Sequence, residues 1–320
     1  MGSAMRFPGF FTLLVCACLV QQTNAQPEKP QKQFPALDND AAWSTLPREN
    51  PLLPPWARVL IGPLPKATAK MLELEYLHRA RNPLGQELAG LIQWTVADAL
   101  DSKFGKATAE TDMARNGRPK LTPDVQVAVA FARKLTTEGH AITDQEFALL
   151  LKLYGPEKVT AIVHTVAYAN FFNRIVLALG ADGEPVPPLN GKFDPEKIAK
   201  VQTPARPPWD DLKEVTADGL SLRADWGKAT HEELNLTLEK QKERIFRMPL
   251  PDASRLAKLP PKEKEGAEKI LWNTVSSGYQ PEMPRAWFAA LYTYYDEAKV
   301  DRVFTNSVFW VVTRTNDCFY

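Results

Sequence analysis

The 320-residue chain reads as an all-α protein built from a helical unit and the beginning of a second one. Three observations predict this. Apolar residues recur at three- and four-residue spacing in successive segments that are bounded by helix-starting and helix-stopping residues. Neither an alternating strand pattern nor a Gly-rich phosphate loop is present, which argues against an α/β nucleotide-binding fold. Finally, residues 309–320 echo residues 93–104 at a constant offset of 216 residues: Trp94 meets Trp310, Val96 meets Val312, Asp101 meets Asp317, and Phe104 meets Tyr320.

Residues 1–25 place Arg6 ahead of an apolar run from Phe10 to Val20 and end on the small residue Ala25, the order of a secretory signal peptide. The run is shorter than the roughly 20 residues a spanning helix needs. Export to a periplasm or the cell exterior is therefore expected, with no membrane attachment after cleavage. Of the three cysteines, Cys16 and Cys18 fall in the removed segment, so the mature chain keeps only Cys318 and cannot form an internal disulfide. A net charge of +1 gives no electrostatic case for nucleic acid or for an acidic membrane surface.

Residues 26–57, rich in proline, predict an extended lead-in. The first module is expected over residues 58–180. Helices are predicted over 66–80 and 86–103, the second carrying Leu88, Leu91, Ile92 and Val96 on one stripe, with Trp94 and Ser102 about two turns apart along it. Thr122, Pro123 and Asp124 supply a cap, a first-turn proline and an acid at the positive helix end, followed by the stripe Val125, Ala128, Val129, Ala132 and Leu135, with Gly139 as the stop. Thr143 and Glu146 form a capping box, and Gly155 closes that short helix. From Pro156 to Leu179 the apolar residues cover most of the circumference, which predicts a central helix. Residues 181–215 read as a proline-rich linker and 216–320 as the start of a truncated second module, with helices at 230–246, 261–277 and 284–297.

The segments 93–104 and 309–320 resemble the active helix of the carboxymuconolactone decarboxylase and alkylhydroperoxidase D family, which carries Cys-x-x-Cys-x-x-x-His after an apolar stretch. Asn316-Asp317-Cys318-Phe319-Tyr320 looks like the opening of that motif, and in the first copy the same positions are Ser102, Gly105 and Ala109. The resemblance covers residues 60–180 and 280–320. It implies an alkylhydroperoxidase D-like helical domain, repeated with the second copy incomplete, that associates with further copies of itself and, in intact members, reduces hydroperoxides or decarboxylates a small organic substrate without a metal or other cofactor.

In that chemistry the first thiol attacks the peroxide oxygen as a thiolate and the second resolves the sulfenic acid as a disulfide. A serine hydroxyl does neither, so Ser102 argues against peroxidase activity in the first module. Glu87, upstream of Ser102, stands where the family's relay carboxylate is sought, but with no thiol to serve it is better read as a first-turn helix carboxylate. Cys318 is the one catalytic thiol candidate, and His164, on the most apolar helix with Tyr168, Asn170, Asn173 and Arg174 beyond it, is the alternative. A row of that kind either cross-links the core or faces another subunit. The remaining histidines, His78, His140 and His231, are read as edge residues with no metal-ligand spacing. The expected functions are accordingly a thiol peroxidase or decarboxylase family member that is silent as the chain stands, or a non-catalytic oligomerisation or binding module of the cell envelope.

Overall fold

Proline and local capping chemistry set where most of the helices begin. The computed structural model describes residues 41–42, 53–181, 230, 232–233, 236 and 246–315. Helices α1 (Pro55–Leu60) and α2 (Pro65–Ala80) each open with a proline in the first turn, where the missing N–H would have had no intrahelical partner. The residue before α2, Leu64, has no side chain able to cap. The first-turn amides of Lys66 and Ala67 instead donate to the Glu297 carboxylate at 3.0 and 2.8 Å.

The single helix expected over residues 86–103 is two helices. α3 (Gln86–Ala99) stops at Leu100, Asp101 adopts a left-handed φ of 52°, and Ser102 becomes the N-cap of α4 (Lys103–Asn116). Asp tolerates that conformation better than most side chains, and Ser is among the preferred N-caps. Trp94 and Ser102 therefore do not share a helix, and α4 itself was absent from the sequence reading.

α5 (Pro123–Thr137) starts at the expected proline, although the Thr122 side chain makes no cap bond, and it ends before Gly139, which opens a 3-10 turn (Gly139–Ala141). The capping box opens α6 (Asp144–Ala178): Thr143 Oγ1 accepts from the Glu146 amide at 3.2 Å, and the Glu146 carboxylate accepts from the Thr143 amide at 2.7 Å. Gly155 breaks α6 into two arms at φ 69°, a conformation open to glycine, and Pro156 starts the second arm.

Beyond residue 246 come α7 (Ala253–Leu256), α8 (Pro261–Lys269), α9 (Leu271–Tyr279), α10 (Glu282–Ala298) and α11 (Arg302–Thr315). The helix expected over 261–277 is thus split, because Ile270 is extended and the Thr274 hydroxyl turns back to the Ala267 carbonyl at 2.5 Å. All but the first residue of the linker over 181–215 and most of the helix expected over 230–246 lie outside the described residues, as do the signal segment, most of the lead-in and Cys318. All regular structure among the described residues is helical.

The second arm of α6 serves two apolar clusters. On one side Phe172 and Val176 join Trp56, Ile61, Leu72, Leu74 and Phe104, and Ala290 of α10 completes the group. On the other, Val159, Ile162 and Val166 join Ile92 and Val96 of α3, Ala128 and Phe131 of α5, and Val275 of α9. The expectation of a central helix holds. α2 packs mainly on α10, while α3 lies among α4, α5 and α6. α11 begins and ends 216 residues after α3 and has the same length of 14 residues, but it takes no part in the main helix pairings and leaves Val303, Phe304 and Phe309 at 74%, 59% and 64% exposure.

Candidate functional site

The three positions singled out from the sequence, Ser102, Gly105 and Ala109, run from the N-cap to the middle of α4, and each is taken up by packing. Ser102 is fully buried, and its Oγ accepts the Gly105 amide at 3.1 Å, so its hydroxyl serves the helix end. Gly105 faces Asn173 and Ala97 at such close range that a Cβ there would come within 1.9 Å of Asn173 Oδ1 and 2.8 Å of Ala97 Cβ. Ala109, one turn on, is 3% exposed. Glu87 sits in the first turn of α3, where a carboxylate complements the helix end.

Beside these positions lies a charge cluster that the sequence reading did not single out. Arg79 of α2 donates from Nε and Nη2 to the two oxygens of Asp112 on α4, at 2.8 and 2.9 Å, and from Nη1 to Glu75 Oε1 at 2.8 Å. All three residues are buried. The forked guanidinium suits this double pairing, which joins two helices through one side chain. Burial pushes the Glu75 carboxyl up despite Arg79, and the Tyr168 hydroxyl is held well above its usual range, first by burial and then by Glu75. The one available signal was Glu75 and Arg79 four residues apart on the apolar side of α2, between Leu72 and Leu74 on one hand and the helix end on the other.

His78 corrects its reading as an edge residue: it is 2% exposed and stacks parallel on the Tyr168 ring at 4.1 Å. Burial, with His164 as a second cause, lowers its pKa to about 3, so the ring is neutral near pH 7. His164 is half-buried, and its Nε2 lies 2.6 Å from Ser276 Oγ of α9, beside the Trp272 ring. Burial lowers His164 to about 4. Asn82 completes the link between α2 and α6, donating to Thr165 Oγ1 at 2.9 Å.

A small cavity of about 20 Å³ separates the motif positions from the charge cluster, with Glu75, Arg79, Gly105, Thr108, Ala109 and Asn173 among its lining residues. That volume admits nothing larger than a water molecule. Among the described residues no group of three or more His, Cys, Asp or Glu side chains is placed to hold a metal, and no helix is long and apolar enough to cross a membrane. Chemically, the region can hold charge in a low-dielectric interior and lock α2, α4 and α6 together. Neither Ser102 nor Gly105 offers it a thiol. Compared with family models, curated proteins and solved structures, the chain finds no match in any of the three.

Proposed function

We propose that this chain is a carboxymuconolactone decarboxylase-like helical module without thiol peroxidase activity in its first unit, acting as an association module of the cell envelope. The observation that carries this reading is the close approach of Asn173 to Gly105: the space into which a resolving thiol would project is occupied by a carboxamide. Ser102, buried and spent on the α4 amide, supports it from the attacking-thiol position. The family itself rests on the residue resemblance, together with the 216-residue spacing that α3 and α11 keep. Self-association is suggested by the exposed apolar residues of α11 and by a net charge of only +1, which opposes contact between copies weakly.

The purified chain, mixed with an organic hydroperoxide and a dithiol reductant, is expected to show no sustained turnover above the uncatalysed rate. Sustained turnover that survives Cys318→Ser would reject the reading and make His164 the first residue to replace. Envelope residence is supported by the order of Arg6, the Phe10 to Val20 run and Ala25. Intact-mass measurement of the cellular product is expected to find Gln26 first, and a product that retains Met1 would count against export.

A further inference from the structure

Glu75 uses only one of its carboxylate oxygens on Arg79. Its Oε2, together with Thr108 Oγ1 and Asn173 Oδ1, is buried without a hydrogen-bond partner, and the three residues line the same cavity of about 20 Å³ beside Gly105. Their exposures are 1%, 7% and 4%. The Asn173 amide is fixed in orientation, because its Nδ2 donates to the Ala169 carbonyl at 2.7 Å and a flip would set two oxygens against each other. Two acceptors and one hydroxyl buried together carry a desolvation cost that one shared partner would remove.

We propose that this cavity is a binding site for one ordered water molecule, held by Glu75, Thr108 and Asn173, next to the carboxamide that fills the space at Gly105. The site stands on this geometry and does not depend on the functional reading above. The hydrogen-bond count closes: the Thr108 hydroxyl donates to the water oxygen, and the two water hydrogens go to Glu75 Oε2 and Asn173 Oδ1. Three bonds are typical of an interior water, and the volume exceeds the 10–15 Å³ or so that one requires. Ala109 is a small lining residue that leaves room for the water, while the Asn173 carboxamide fills the space at Gly105. A cation of similar size, ammonium, would satisfy the same acceptors and the excess of carboxylates over guanidinium, but the Thr108 hydroxyl gives the water a donor that ammonium cannot use.

A crystal structure of the full chain at about 1.5 Å resolution is expected to show one density peak within normal hydrogen-bond reach, about 2.6–3.2 Å, of all three oxygens. Thr108→Val supplies the stability readout. With water bound, the variant removes one of the water's three partners, and the unfolding equilibrium constant should rise roughly 3- to 10-fold. A dry cavity predicts the opposite sign, since valine would then replace an unsatisfied hydroxyl and the constant would fall. An empty cavity, direct bonding among the three side chains, or a Thr108→Val variant as stable as the parent or more so overturns the site. Stabilisation by ammonium chloride beyond that by sodium chloride would overturn water as the occupant. Hydroperoxide turnover by the parent chain would reject the functional reading while leaving the water peak in place, so the two failures are distinguishable.

Discussion

At the scale of single residues, the interior between α2 and α6 is organised around groups kept in one protonation state. His78 is neutral because burial against Tyr168 disfavours the imidazolium. Its folded pKa of about 3 lies below the ordinary 6.5, so the folded state binds fewer protons than the unfolded one. The resulting stability is complete above about pH 6.5 and is lost as the pH falls toward 3, at no more than about 1.4 kcal/mol per pH unit for one group. His164, at about 4, acts in the same direction, while Glu75, pushed up by burial, works against both. His78→Phe retains an aromatic ring for the Tyr168 stack and deletes this titration. Its urea midpoint is expected to fall less steeply than the parent's between pH 6.5 and 4. Parallel profiles would show that His78 does not contribute to acid sensitivity.

Among the elements, the join between α2 and α10 carries the least obvious contact. α2 begins after Leu64, which cannot cap, and its first amides are satisfied by Glu297 from the far end of the sequence. The carboxylate also sits at the positive end of the helix, where negative charge is favoured. Glu297→Ala removes both bonds and should cost about 1 kcal/mol of stability, whereas Glu297→Gln keeps an acceptor and should recover part of it. Chemical denaturation of the three proteins measures this. If alanine and glutamate prove equally stable, the α2 terminus is satisfied by solvent and the contact is incidental. Phe171 and Trp287, with ring centroids 4.8 Å apart, tie α10 to α6 independently of that cap.

For the whole molecule, the contrast between α3 and α11 is the informative one. The two helices keep the same length and the 216-residue spacing, yet α3 is enclosed by four neighbouring helices and α11 displays Val303, Phe304, Val308, Phe309 and Val312 to solvent. If a second copy covers this surface, sedimentation should reveal concentration-dependent association of the purified chain. The double variant Phe304→Glu with Phe309→Glu should shift it toward monomer by at least tenfold in dissociation constant, given about 1.5–3 kcal/mol for fully burying one such side chain. A parent that is monomeric at every concentration tested would count against the association reading.

Local chemistry was legible before any coordinates. The 3.6-residue apolar rhythm gave the all-α class, the Thr143–Glu146 box gave the start of α6, and Gly155 with Pro156 gave its break, because each signal acts through neighbours within one or two turns. The boundary at Leu100–Asp101–Ser102 was not legible, since an apolar stripe continues across it and the break depends on one left-handed aspartate. Nor was the candidate site. Arg79 and Asp112 lie 33 residues apart, and Gly105 and Asn173 belong to different helices, so only the folded chain brings them together. Side-chain spacing along a helix fixes which face a residue occupies, but the packing of α2, α4 and α6 decided that His78 would be buried, that Arg79 would bridge two carboxylates, and that a carboxamide would fill the space beside Gly105.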